Sequence, residues 1–398
     1  MEKNNLPLKD IMVLDATQAL AGPFVTTLLA DLGAEVIHVE NPKGGDFCRK
    51  WVPYKNGIGY YFEIINRNKK SLTLDLKSDQ GREAFLKLAK RADVMVENFA
   101  PGVVDRLGIG YSHLEKVNSK IIYCHVSGYG QTGPYSSRAA FDQVMQGETG
   151  ILSYTGTHDT PCKINVPITD YLAALFGAYS VLASLIDRAK TGKGMELDVS
   201  LFDCSVNMML NLMNMHLIEG LKDSELRMGS KYHLAMPYQP FQASDNQLIN
   251  VCVATEPHWK KFCKVVGLSK LADDELFRTN RRRLENREML EPVIEKKMLK
   301  KTRDEWIGLL TDAGVPCSSI NSIKEVLEHP QVIARQTIKD VDYPGVGKVK
   351  HFNNPVKFSG FNIDIRRSPM LGENTDEVLK KHGFNEDEII DMRKNNVL

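Results

Sequence analysis

The 398-residue chain has almost no net charge, no paired-cysteine motif and no long uncharged apolar run. Each absence removes a class of protein. A formal net charge of +1 gives no global field toward nucleic acid or a membrane surface. The seven cysteines (Cys48, Cys124, Cys162, Cys204, Cys252, Cys263, Cys317) are scattered, odd in number and contain no C-x-x-C pair. That pattern favours free thiols in a reducing compartment over a disulfide framework or a zinc site. The opening Met-Glu-Lys-Asn-Asn has no apolar signal core, and no uncharged apolar run reaches the about 18 residues of a membrane span. A cytoplasmic protein is expected. The ten histidines are dispersed without an H-E-x-x-H, so no metal site is expected. There is no G-x-G-x-x-G and no G-x-x-x-x-G-K-[ST], so NAD-type and P-loop sites lack support. A serine hydrolase would need a G-x-S-x-G elbow, which is missing.

What remains is an ordinary globular composition, 25% charged and 42% hydrophobic, in a chain too long for one core. The first third alternates strand and helix signals. Ile11 to Leu14 is a short apolar run, Gly22-Pro23 opens a helical stretch that stops at Gly33, and Glu35 to Glu40 alternates like a strand. Ser71 to Leu76, Asp93 to Glu97 and Ile121 to Val126 read as further strands, and Asp79 to Ala92 has helical periodicity. Strands separated by helices predict an α/β fold with a doubly wound, mostly parallel, Rossmann-like sheet. Met195 to Val199 reads as another strand, and Ser200 to Glu219 as one long, Met-rich helix. Beyond Leu221 the pattern weakens. Tyr238 to Ala243 and Leu248 to Ala254 flank Ser244-Asp245-Asn246-Gln247, a hairpin signal, and residues 225–325 read as a smaller α+β domain. The stretch from Pro344 to Phe361 is Gly/Pro-punctuated, and Asn374 to Lys394 predicts two short helices.

Three stretches at predicted strand ends suit a phosphorylated ligand, because open α/β sheets bind there. They are Asp15 to Pro23, Asn66 to Lys70 with Lys77, and Glu97 to Gly108. Lys77 and Arg106 are placed to neutralise phosphate, and backbone N–H groups near Gly22 and Gly102 to bind pyrophosphate. Taken singly, each stretch reads more readily as a solvated basic loop or an ordinary turn. A fourth stretch, Ser127 to Pro134, follows a strand and is dense in turn formers. His38, inside a strand pattern, reads as structural. Asp142 reads as a helix cap. Asp170, in Asn165-Val166-Pro167-Ile168-Thr169-Asp170-Tyr171, opens an apolar helical run to about Ala189. It is either a helix cap or a reactive carboxylate near a positive helix end.

Together these stretches resemble the class III coenzyme A-transferases (CaiB/BaiF-like proteins), the group of formyl-CoA transferase and carnitine CoA-transferase. The carriers are VLDATQALAGP (13–23), DLGAEVIHVE (31–40), residues 66–111 with VENFAPGVVDRLGIGY at their end, SGYGQTGP (127–134), TDY (169–171), TGKGMELDVSLFD (191–203) and LGENTDEVL (371–379). The resemblance implies that Asp170 is the nucleophile and that Gln18, Ala19, Leu74, Lys77, Asn98, Phe99, Arg106 and Leu107 contact coenzyme A. Asp142 and Tyr129 become active-site neighbours. The partners implied are an acyl-CoA, a carboxylic acid and a second copy of the chain in an interlocked homodimer. The expected organisation is residues 1–200 as the N-terminal part of the large CoA-binding domain, 201–224 as helix and linker, 225–325 as the small domain, and 326–398 as return linker and C-terminal part of the large domain.

Three departures shape the expectation. Asn41 stands where formyl-CoA transferase has an arginine over the adenine. Tyr232 to Tyr238 contains no glycine run, which argues against a formyl or oxalyl substrate. Phe141 stands in Arg138-Ala139-Ala140-Phe141-Asp142 where α-methylacyl-CoA racemases carry a histidine base, and phenylalanine moves no proton. The spacing around Leu217 to Tyr232 resembles carnitine CoA-transferase more than formyl-CoA transferase, so a carnitine-like or other medium-size carboxylate is expected as acceptor. The competing readings are a racemase-like enzyme, an acyl-CoA hydrolase and a non-catalytic CoA-binding protein. Shielding of the intermediate from water is expected from a loop or partner residues near Tyr232 to Tyr238, and oxyanion donors from the Gln18–Ala19 or Gly128–Gly130 backbone. The start of the helix is expected to keep Asp170 ionised at neutral pH.

Overall fold

The structure, a computed structural model, describes residues 6–398 except 56 and 345. It divides into two compact units, Met1–Ile151 with Ile164–Asn211 and Ile333–Leu398, and Leu152–Lys163 with Leu212–Val332.

The first unit is built on six strands: β1 (Met12–Ala16), β2 (Glu35–Glu40), β3 (Lys70–Thr73), β4 (Val94–Glu97), β5 (Ile122–Ser127) and β6 (Met195–Ser200). They lie in the order β3-β2-β1-β4-β5-β6 with every pairing parallel. The order reverses between β1 and β4, the switch point at which doubly wound sheets open a crevice beyond the strand ends. Both faces are covered, so successive strand residues are apolar rather than alternating. On one face Leu14, Ile37, Leu72, Met95 and Tyr123 pack with Phe85 and Leu88 of the helix Asp79–Ala89 and with Val378, Leu379, Ile389 and Met392 of the last two helices. On the other, Val13, Val36, Val94 and Ile122 pack with α1 (Ala21–Asp31) and the 24-residue helix Ile168–Thr191. Burying each large side chain stabilises by about 1.5–3 kcal/mol. Ile168–Thr191 is long and apolar enough to pass a length-and-composition test for a membrane span. Ala173, Ala174, Ala178 and Val181 are nonetheless packed into this core, as in any buried crossover helix.

Several elements depart from the sequence pattern. The expected strand Ser71–Leu76 leaves its ladder after Thr73. The expected helix from Ser200 to Glu219 is two, Leu201–Met208 and Leu210–Glu219, broken at Met209. The Gly/Pro-punctuated tail holds an antiparallel hairpin, Ile338–Tyr343 with Gly347–Phe352, that was not expected as a pair of strands.

In the second unit Tyr238–Gln242 and Leu248–Cys252 form the expected hairpin, with Asn246 at φ 60°, and Cys317–Ser319 adds a third strand. Phe241, Ile249, Trp259, Phe262, Leu290 and Trp306 fill its core. The basic cluster is not all surface: Arg283 is buried, donating to Met236 O and Glu256. Leu152–Lys163 joins this unit because the Arg227 guanidinium bonds the carbonyls of Ser153, Thr157 and His158.

Candidate active site

The chain leaves the switch point through two loops that lock together. After β1, Gln18 N–H donates to Asn98 Oδ1 at 2.8 Å, and Asn98 Nδ2 returns a bond to Gln18 O at 2.8 Å. Ala19 has a left-handed backbone, φ 67°, which costs a residue with a Cβ about 1–2 kcal/mol. Its N–H points at Asp46 Oδ1, 3.3 Å away. Gly22 permits the packing: a Cβ there would lie 2.6 Å from Thr17 Cγ2 and 3.1 Å from Asn98 Cγ. After β4, Phe99 N–H donates to Glu97 Oε2 at 2.7 Å, and the Arg106 guanidinium lies beside Gly102, itself at φ 78°. Arg106 and Lys77 are exposed, Phe99 and Leu107 pack against the core, and Leu74 is fully buried with its N–H on Glu40 O. All eight residues expected to contact CoA therefore lie in or just beyond the loops that leave the C-terminal ends of β1, β3 and β4. Gln18 and Asn98 are in contact; no ion pair joins Lys77 or Arg106 to a described residue. The oxyanion expectation changes, because the Gln18 and Ala19 N–H groups already face side-chain acceptors.

Asp170 is the third residue of Ile168–Thr191, whose N-cap position is Pro167. It is not the cap. That role belongs to Asp142, the first residue of the helix Asp142–Glu148. Asp142 Oδ1 accepts from both Thr169 N–H and Thr169 Oγ1 at 3.0 Å, serving a helix other than its own. Gln146 steadies it, donating to Asp142 Oδ2 at 2.8 Å and bonding the Ile164 backbone. Asp142 is thus in contact with the residue beside Asp170.

Asp170 is flanked by an apolar, aromatic box. Tyr171 stands edge-on to Phe24 at 5.1 Å, and both pack with Leu20, Cys48, Phe62, Ile65, Trp51 and Tyr61. Trp51 and Tyr61 are edge-to-face at 4.9 Å. Burial, then the nearby Asp142 charge, push the Asp170 carboxyl up to about 7. The helix start, expected to keep it ionised at neutral pH, is opposed here: desolvation and a like charge act against ionisation. Burial and the Asp170 charge in turn raise the Tyr61 hydroxyl. Trp51 and Tyr61 were missed in the sequence, where Trp51 and Tyr60-Tyr61-Phe62 stand out only as local aromatic density. Tyr129 packs on Phe202 and Tyr135; among the described residues no contact joins it to Asp170. Phe141, just before Asp142, is 65% exposed.

A half-buried carboxylate stands beside an aromatic cluster, next to loops at a switch point. The profile of CoA-transferase family III matches residues 8–375. The chain belongs to CoA-transferase family III. Succinyl-CoA:glutarate CoA-transferase of Mus musculus is 36% identical over 378 residues, covering 94% of this chain and 86% of that protein. Acetyl-CoA:oxalate CoA-transferase of Acetobacter aceti is 35% identical, covering 92% and 93%. The crystal structure of a CaiB/BaiF family protein from Brucella suis superposes with TM-score 0.84 at 35% identity, covering 95% of this chain and all of that one. This family III protein is an enzyme that moves CoA between acyl-CoAs and carboxylic acids.

Proposed function

We propose that Asp170 is the nucleophile and carries the acyl group through covalent intermediates. The observation that carries the reading is its half-buried carboxyl beside an aromatic box, with Asp142 capping the helix start in its stead. An Asp170 oxygen attacks the donor thioester carbonyl; the C–S bond breaks, leaving an aspartyl–acyl anhydride and CoA thiolate. The thiolate attacks the aspartyl carbonyl and the anhydride C–O bond breaks, releasing the donor acid and leaving an aspartyl-CoA thioester. The acceptor carboxylate then attacks that thioester, and the released thiolate takes the acceptor acyl group, restoring Asp170. No net proton moves, so a site without a histidine base suffices. Each tetrahedral stage needs oxyanion donors, worth about 3–4 kcal/mol for a good one.

Gln18, Ala19, Leu74, Lys77, Asn98, Phe99, Arg106 and Leu107 form the CoA-binding set in this reading, with Lys77 and Arg106 as the exposed cations for phosphate. The acceptor is a medium-size carboxylate. A carnitine-like acid fits that description. The names of relatives acting on succinyl-CoA with glutarate or mesaconate favour a dicarboxylate of four or five carbons. After incubation with succinyl-CoA, hydroxylamine is expected to convert Asp170 to its hydroxamate, read by peptide mass spectrometry. In deuterated water a 2-methylacyl-CoA is expected to keep its α-proton. A hydroxamate elsewhere sinks the nucleophile assignment, and rapid α-exchange would favour the racemase reading that Phe141 argues against.

The chain is also read as a homodimer. Leu175, Tyr179 and Ile186, spaced four and seven residues apart on the helix that carries Asp170, are 54%, 67% and 62% exposed. Such an apolar stripe is rarely left to water, and a second copy is its proposed cover. Sedimentation at twice the protomer mass is expected, with Tyr179→Glu shifting the species toward monomer; a wild-type monomer at micromolar concentration refutes it.

A further inference from the structure

We propose that Asp46, backed by buried His38, is a positioning residue that ties together two walls of the Asp170 box. One oxygen, Asp46 Oδ1, faces Ala19 N–H at 3.3 Å and accepts from Cys48 N–H at 3.0 Å. Leu20, which follows Ala19, forms one wall; Cys48, joined through its carbonyl to Trp51 N–H, forms the other. A single carboxylate thus sets the spacing of the box and holds the left-handed turn at Ala19. Asp46 is itself anchored, its N–H donating to Glu40 Oε2 at 2.9 Å.

Behind it lies a buried charged chain. His38 Nε2 is 3.9 Å from Asp46 Oδ2, and His38 Nδ1 is 3.1 Å from Asp15 Oδ2. Lys69 Nζ reaches the same Asp15 oxygen at 2.8 Å. Glu40, held by Arg49, and the Cys48 thiol complete the titratable groups around the pair. Neither His38 nitrogen nor Asp46 Oδ2 makes a hydrogen bond of good geometry. Buried polar atoms in that state call for a cause beyond packing. Here it is attraction along an alternating line, Lys69 to Asp15 to His38 to Asp46, that draws the acid toward the turn. Burial pushes the Asp46 carboxyl up and the His38 charge pulls it back.

This inference rests on Asp170 as nucleophile, so its test reads Asp170 directly. Full-length Asp46→Ala and Asp46→Asn are compared with wild type for the rate of hydroxylamine-trapped Asp170 after mixing with succinyl-CoA, for kcat and KM, and for melting temperature. Misplaced walls slow the chemical step, so Asp46→Ala is expected to lose at least about tenfold in trapping rate and kcat, with KM for succinyl-CoA changed less than about threefold. Asp46→Asn keeps an oxygen for both N–H groups and is expected to stay within about threefold of wild type. If Asp46→Ala does not fold, Asp46→Leu, of similar size and without an acceptor, takes its place. Wild-type trapping rates in the Ala or Leu variant overturn the positioning role, as does an Asn variant as slow as they are. Absence of any Asp170 adduct in the wild type overturns the nucleophile reading and this inference with it.

Discussion

Replacing Asp170 by alanine is expected to lower kcat for CoA exchange by at least about 10⁴-fold while leaving acyl-CoA binding within a few-fold of wild type. Loss of a covalent nucleophile removes every step after binding, and comparable knockouts cost about 10⁴–10⁶. Asp170→Asn is expected to be as inactive but opposite in stability. Burial and Asp142 hold the Asp170 carboxyl at about 7 against an ordinary 3.8. Folding therefore takes up a proton between those values. The stabilisation is complete below 3.8 and is lost as pH rises through 7. A shift of that size corresponds to roughly 4 kcal/mol between protonation states, and partial exposure of the side chain reduces the net effect to about 1–2 kcal/mol. Asp170→Asn should then melt above wild type at pH 8, with the difference narrowing steadily as pH falls toward 4. Because the carboxylate is the attacking form, wild-type kcat/KM should fall about tenfold per pH unit below 7 and level off above it. Turnover near wild type in either variant, or a flat profile from pH 5 to 8, would remove Asp170 from the reaction.

The layered sheet was legible because parallel strands buried on both faces write continuous apolar runs, as in Ile11 to Leu14 and Ile121 to Val126, and helices write a 3.6-residue period. The loops expected to bind CoA were legible as a set only because their motifs occur in a known order; each alone resembles any basic turn. What stayed hidden depends on distance along the chain. Asp170 has the sequence context of a cap, yet Thr169 N–H is capped from Asp142, 27 residues away. The direction of the Asp170 shift also depends on Asp142 and on aromatic neighbours from four separate segments. The hairpin after Ile338 went unread because its strands, IKDVDY and GKVKHF, are charged and mostly not buried, and Met209 breaks a helix inside an unbroken apolar pattern. His38 was read as structural from its strand. Its two carboxylate neighbours, one from β1 and one from the loop after β2, could not be paired from spacing.

The largest loss of stability is expected from Asp15→Ala, about 3–5 kcal/mol. Asp15 is fully buried and accepts from Lys69 Nζ at 2.8 Å, Thr26 Oγ1 at 2.6 Å and Thr17 N–H at 3.0 Å, with His38 Nδ1 at 3.1 Å. Burial alone would raise its carboxyl; Lys69 and His38 outweigh that and hold it well below the usual carboxylate range. The carboxylate's own contribution is therefore complete above about pH 4 and is lost only as acid protonates the folded state, while the share carried by charged His38, which Asp15 holds above its ordinary value, shrinks as pH rises. The cost arises less from the missing attraction than from Lys69, left buried with only Pro23 O and Asn66 Oδ1 as partners. That cause predicts its own remedy. Lys69→Met in the Asp15→Ala background removes the unpaired charge, and the double variant should melt well above Asp15→Ala alone, a coupling of at least about 2 kcal/mol in a double-mutant cycle. Additive losses in the two single variants would mean that Lys69 has found water or another anion, and that the charged chain behind His38 does not act as a unit.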